Sequence, residues 1–212
     1  MPVAVVTGAS AGIGLETAKG LAKKNFDLIL VSRSSKKLIA IKDELEAKYS
    51  IICDVFSYDL SLVKSNIEFH EEVVNKFRKI DVLINNAGAI FMEKTITDEG
   101  LEKTFALNHM SYFVLSNLFI ESFNYIKVIN VSSEAHRGIR LKLDDLQNNI
   151  DYFGWHAYKR SKLANIYLTY ELAKKYENKD ITVNCLHPGL VNSDFANNNS
   201  LRYKIMSSLI KC

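Results

Sequence analysis

Proline is nearly missing from this 212-residue chain, which has 2, and glycine is scarce, at 9. Such poverty excludes collagen-like, linker-rich and low-complexity classes. It also makes each glycine informative, and three of the nine fall between Gly8 and Gly14. Cysteine is rare as well. Cys53, Cys185 and Cys212 are odd in number and far apart, without the paired spacing of a zinc site or a disulfide framework. No metal is expected, and a reducing compartment, the cytosol, is the expected location. No run approaches the roughly 20 apolar residues of a membrane span. With an apolar strand beginning at Val3 no cleaved signal is expected, and Cys212, last in this sequence, is not expected to form a prenylation box. An excess of one charge is absent too, with 27 Lys and Arg against 24 Asp and Glu. The formal net charge of +3 is spread over mixed-sign segments, so nothing points to nucleic acid or an anionic membrane.

What is present is ordinary globular material, 48% hydrophobic and 24% charged. A domain of this size buries about 70% of the surface its unfolded chain exposes, so one domain over 1–212 needs no staple. Short β-branched runs at 3–6, 28–31, 51–55, 82–84, 128–131 and 181–186 alternate with amphipathic stretches at 12–24, 35–48, 60–79, 98–123 and 157–176. This alternation predicts an α/β fold with a parallel sheet, and unbroken apolar strands mean helices on both faces. Right-handed crossovers then give a doubly wound sheet, with ligands held at the carboxyl ends of the strands where the order reverses.

The run Val5-Val6-Thr7-Gly8-Ala9-Ser10-Ala11-Gly12-Ile13-Gly14 passes from the first strand into the first helix. Gly8 allows the turn, while Gly12 and Gly14 let the backbone and the helix N-terminus approach a pyrophosphate. No Gly-Lys-Ser/Thr follows, so the loop is not a Walker loop. The second strand ends in Val31-Ser32-Arg33, where an NAD enzyme would place an acid for the ribose 2′-hydroxyl. Arg33 instead offers a guanidinium suited to a 2′-phosphate, so NADP(H) is expected over NAD(H).

Thr7 to Gly14 resembles the Thr-Gly-x-x-x-Gly-x-Gly motif of the short-chain dehydrogenase/reductase family, and Asn85-Asn86-Ala87-Gly88 resembles its second signature. Val131 to His136 and Ser161-Lys162-Leu163-Ala164-Asn165 are most similar to the retinol dehydrogenase branch, which includes the WW-domain oxidoreductases. The resemblance implies a Rossmann sheet of order 3-2-1-4-5-6. It also implies a cofactor site at Gly8, Ser10, Gly12, Ile13, Gly14, Arg33, Asn86, Ala87, Gly88, Tyr158, Lys162, Pro188, Gly189, Val191 and Ser193. Asp59 and Leu60 would border the adenine, with Asp54 the competing acid. Asn108, Ser133, Tyr158 and Lys162 would form a catalytic tetrad, in which Asn108 holds a water linking Lys162 to solvent.

The tetrad's chemistry can be argued independently. Tyrosine and lysine four apart on a helix share a face. A phenol with a pKa near 10 needs a shift of roughly three units, or about 4 kcal/mol, to act near neutrality. An ammonium about 5 Å away at an effective dielectric near 20 supplies about 3 kcal/mol. Tyr170 and Lys174 repeat the spacing, but twelve residues place them about 18 Å farther along the axis. Ser132 competes with Ser133, since strand alternation sends the two hydroxyls to opposite faces. His109 and His136 are expected to be structural or solvent-facing.

The expected function is NADP(H)-dependent interconversion of a carbonyl and an alcohol on a small-molecule substrate. The alternative is a nucleotide-binding regulatory or scaffold protein of the same fold. Glycine spacing disfavours an extended-branch epimerase. Family members continue through a seventh strand and a further helix, whereas this sequence ends at Cys212. The sixth strand is therefore expected to form a sheet edge, with residues 189–212 as the substrate lid and one pocket wall missing or supplied by a partner. A homo-oligomer paired through the helices of Asn108 and Tyr158 is an open expectation. Apolar residues at Leu201, Ile205, Leu209 and Ile210 suit an amphipathic helix in the lid.

Overall fold

The β-branched run at the start of the chain forms strand β1 (Val3–Thr7), in the computed structural model, which describes residues 1–189. Chain order continues with α1 (Gly12–Ala22), β2 (Asp27–Ser32), α2 (Ser35–Lys48), β3 (Cys53–Ser57), α3 (Val63–Lys76) and β4 (Val82–Asn85). A single turn, α4 (Lys103–Phe105), leads through a π-helical turn (Ala106–Met110) into α5 (Ser111–Ser122). Strand β5 (Ile126–Val131), a 3-10 turn (Glu134–His136), α6 (Gly154–Lys175) and β6 (Ile181–Leu186) complete the described elements.

The six strands are parallel and lie in the order β3-β2-β1-β4-β5-β6. This is the expected order, with β6 at one edge among the described residues. The order reverses between β1 and β4, which opens a crevice beyond their carboxyl ends.

Period-two alternation divides the core. Val5, Ile29 and Leu83 face a layer built from α3, α5 and α6, with Phe69, Tyr112, Leu115, Phe119 and Leu168. Ala4, Val6, Leu28 and Leu30 face the opposite layer, with Ala18, Leu38 and Leu45 from α1 and α2. Each fully buried large side chain contributes about 1.5–3 kcal/mol of transfer free energy.

Three helix starts differ from the sequence expectation, the simplest being α6, which begins at Gly154 rather than residue 157. The stretch read as helical from residue 98 becomes helical only at Lys103. Gly100, at φ +79°, closes a turn in which Thr97 and Leu101 are hydrogen-bonded, and Ile96 bridges Glu102 antiparallel. The Glu102 carboxylate then caps α4, accepting from the Thr104 and Phe105 amides at 2.7 and 2.8 Å. Helix α3 starts at Val63 rather than residue 60, because Asp59 turns the chain back onto Ser61. The α3 amides of Val63 and Lys64 donate to Glu99, 36 and 35 residues away. Such a cap is tertiary and leaves no local signal. No helix among the described residues is long and apolar enough to cross a membrane.

Candidate active site

The residues expected at the site within 1–189, Asp54 excepted, gather near the carboxyl edge of the sheet. At the end of β1, Gly8 has φ +67°, in the left-handed region. A Cβ there would lie 2.8 Å from the Ala87 Cα, and one on Gly14 would run into the Gly8 carbonyl and the Asn86 amide. The loop therefore has no room for side chains. Thr7, buried at the strand end, stitches it together: its hydroxyl accepts the Asn86 and Ala87 amides at 2.8 and 2.9 Å and donates to the Ile84 carbonyl. Asn86 spends its side-chain amide on the Thr7 carbonyl at 2.8 Å. Asn86 and Ala87 thus shape the glycine loop from the neighbouring strand, and Thr7, quoted in the sequence only as the first residue of the motif, is the side chain that braces it. Its hydroxyl at the last strand position was the available signal.

Gly12 has φ +54° and opens α1. The N-cap residue Ala11 supplies no side-chain hydrogen bond, and the first turn carries no acid. Helices α2 and α4, by contrast, are capped by Ser34 and Glu102. An uncapped, glycine-lined helix N-terminus leaves its amides and dipole to an anion, so the loop fits a dinucleotide pyrophosphate. Ser10 and Ile13, both partly buried, flank Gly12.

Beyond β2, Arg33 is exposed and makes no ion pair among the described residues. Its carbonyl accepts the Ser57 hydroxyl at 3.1 Å, which fixes the backbone next to β3. The preceding Ser32 is buried and its hydroxyl accepts from the Ser34 amide. Asp59 lies past the end of β3 with one carboxylate oxygen on Ser61. Asp54 sits inside β3 and is paired with Lys76, which takes it away from the edge. The Leu60 side chain is buried in the core and its carbonyl accepts from Asn66 at 3.0 Å, so its amide is the group available to a ligand.

On the other side of the crevice, Lys162 is buried, 4% exposed, and donates to the Val131 carbonyl at 2.9 Å at the end of β5. Ser132 is committed elsewhere, donating to the Lys162 carbonyl at 2.9 Å and tying α6 to β5. Ser133 accepts from the Ala135 amide at 3.2 Å and is hydrogen-bonded to Tyr158. The Tyr158 ring lies 5.8 Å from the Lys162 ammonium and stacks on Trp155, one helical turn back, at 5.5 Å and 20°. Trp155 was missed in the sequence, although its position three residues before Tyr158 puts it on the same face. Tyr170 is 70% exposed.

Burial dominates the electrostatics. It pushes the Lys162 ammonium down to about 7. Burial also raises the Tyr158 phenol above its ordinary value, opposed by the Ser133 hydrogen bond. Charge arithmetic from the sequence gives the opposite direction for Tyr158, because a spacing carries no desolvation cost.

Burial also sets the surroundings of Asn108. It is fully buried in the π-helical turn, and its Oδ1 accepts the Ala89 amide at 2.9 Å. Its Nδ2 donates to the Ala89 carbonyl at 2.9 Å and to Ser161 at 3.1 Å. Both ends of the amide are engaged, so Asn108 braces the β4 loop against α6, and a water could use only a remaining lone pair. Asn165 donates to the Asn108 carbonyl at 2.8 Å and meets the His109 ring at 2.9 Å. Burial lowers the His109 pKa, and His136 is held by the Ser133 carbonyl at 2.6 Å. Gly88 keeps this corner open, since a Cβ there would lie 3.2 Å from Asn108 Oδ1 and 3.6 Å from Lys162 Nζ. After β6, Pro188 is followed by Gly189 at φ +78°. Val191, Ser193 and all but the first residue of the expected lid lie outside the described residues, as does the amphipathic run at 201–210. Among the described residues, no group of His, Cys, Asp and Glu could hold a metal ion.

The short chain dehydrogenase family profile matches residues 2–204. The chain belongs to this family. Retinol dehydrogenase 12 of Mus musculus is 36% identical over 204 residues, which cover 94% of this chain and 64% of that protein. The WW domain-containing oxidoreductase of Drosophila melanogaster is 34% identical, over 98% of this chain and 53% of its own length. The short-chain dehydrogenase described here therefore falls in the retinol dehydrogenase-like branch and spans less than two thirds of the length of these relatives. A metagenomic short-chain oxidoreductase, solved in complex with NADP, superposes with a TM-score of 0.75 at 26% identity, over 90% of this chain and 82% of its own. The family is one of oxidoreductases that bind a nicotinamide cofactor.

Proposed function

We propose that this short-chain dehydrogenase interconverts a carbonyl compound and an alcohol with NADP(H), using Tyr158 as the acid and base. The observation that carries the reading is the convergence of hydrogen-bonded Ser133 and Tyr158, with Lys162 one turn on, across the crevice from the uncapped N-terminus of α1. When bound, the cofactor supplies or accepts the hydride. In the reductive direction Tyr158 gives its phenolic proton to the oxygen of the reacting carbonyl. Ser133 donates a hydrogen bond to that same oxygen and stabilises the charge that develops on it. Lys162, as its ammonium, favours the phenolate left behind and would hold the cofactor ribose. Asn108 fixes Ala89 and Ser161 around this pair, and a water on its remaining lone pair would resupply the proton.

Gly8, Gly12 and Gly14 would admit the pyrophosphate, and Pro188 and Gly189 would border the nicotinamide. Arg33, exposed beyond β2 with no acid beside it, supports NADP(H) over NAD(H), as does the NADP bound to the metagenomic relative. Arg33→Ala is expected to weaken NADPH about tenfold to a hundredfold, the range of a charge-assisted hydrogen bond. NADH affinity should stay within about threefold, since the ribose hydroxyl makes no such bond. Fluorescence titration of both cofactors checks this, and equal losses would remove the 2′-phosphate assignment. The names of the relatives direct a substrate screen first to retinals and then to other aldehydes, steroids and quinones. Cofactor binding without oxidation across that panel would favour a scaffold.

A further inference from the structure

Lys162 is a buried cation without a carboxylate. Around its ammonium stand the Val131 carbonyl of β5 at 2.9 Å, the Tyr158 ring of its own helix at 5.8 Å and the Tyr112 ring of α5 at 5.4 Å. Asn108 of the π-helical turn lies across the gap left by Gly88. None of the ion pairs among the described residues involves it. Tyr112 is 0% exposed in the first turn of α5, and its hydroxyl has no hydrogen-bond partner among the described residues. The Tyr112 phenol also interacts electrostatically with Tyr158, but it is the ring that faces the ammonium.

We propose that Tyr112 is a positioning residue of the proton device, its ring face sustaining the Lys162 charge in place of a counter-ion. The inference rests on the reading of Tyr158 and Lys162 given above. Its logic is electrostatic. A carboxylate beside Lys162 would hold the ammonium charged, but its full negative charge would oppose ionisation of the neighbouring phenol. An aromatic face attracts the cation through its quadrupole and adds no net charge. The ammonium can then stay protonated in a dry site while its field acts on Tyr158. Burial already draws the Lys162 amine toward neutrality, so a modest attraction decides how much of it is charged near pH 7.

The test is NMR titration of the full chain carrying isotope-labelled lysine, with the Lys162 signal assigned through its loss in Lys162→Arg. Tyr112→Phe keeps the face and should leave the Lys162 midpoint where it is, with a Tm equal to or above that of the parent. Tyr112→Leu removes the face and should lower the midpoint by about half to one pH unit. Trifluorophenylalanine at position 112 keeps the volume with an electron-poor face, and should lower the midpoint even if the leucine variant fails to fold. Parent-like midpoints in the leucine or fluorinated proteins would overturn the proposal, as would a fall in Tyr112→Phe as large as that in the fluorinated protein. The titration needs no turnover, so it is independent of whether Tyr158 proves catalytic.

Discussion

Tyr158→Phe is expected to bind NADPH with nearly parental affinity and to lose carbonyl turnover by about a hundredfold to ten-thousandfold, the range for a positioned acid–base group. Phenylalanine keeps what the ring does in the structure, namely the stack on Trp155 and the face turned to the Lys162 ammonium. It deletes the phenolic oxygen and with it the hydrogen bond to Ser133. The folded state should be nearly unaffected, because Tyr158 lies at the crevice and not in either core layer. Steady-state turnover together with NADPH titration separates the two effects. Substantial turnover in this variant would sink the mechanism. A loss of turnover with equal loss of NADPH affinity would reassign Tyr158 to binding.

The second large effect concerns stability. Lys162→Met is expected to abolish turnover while making the protein more stable at pH 6. The folded-state amine is held down at about 7 by burial, against its ordinary value of 10.5. Between those values the unfolded chain carries a proton that the folded chain does not, so the lysine's contribution to stability rises with pH across this window. Below about pH 7 both states are protonated and the full cost of burying the ammonium is present. Methionine has similar length and no charge, so it should gain about 2–4 kcal/mol at pH 6, allowing for the lost bond to Val131. The advantage should shrink toward zero as pH approaches 10.5. Denaturant unfolding of both proteins at several pH values checks the sign. A methionine variant that is less stable at pH 6 would mean that the ammonium is well compensated in the folded protein.

How much of this was readable in the sequence depended on whether the signal was local. The strands were, because short β-branched runs such as 28–31 recur between amphipathic stretches, whereas their order 3-2-1-4-5-6 followed from the family resemblance. The glycine loop was legible because its glycines are required by local backbone geometry at Gly8 and close approach at Gly14. What escaped was built from partners distant in the chain. Glu99 caps a helix that begins 36 residues earlier, and Thr7 ties down amides 79 and 80 residues away. Gly100 and Glu102 move a helix start that periodicity alone places too early. At the candidate site, the spacing of Tyr158 and Lys162 was visible, but the burial that sets their protonation was not. The Tyr112 ring could not be linked to Lys162 either, since it approaches from a different helix.

The central claim, hydride transfer between NADPH and a carbonyl, is tested most directly by following the hydrogen itself. Protein is incubated with NADPH deuterated at the nicotinamide C4 hydride position and with a retinal or other aldehyde, and the product alcohol is examined by mass spectrometry. The account predicts one deuterium on the carbinol carbon for each NADPH consumed, abolished in Tyr158→Phe. NADPH bound tightly with no deuterium in any product would contradict it and leave a nucleotide-binding protein without turnover.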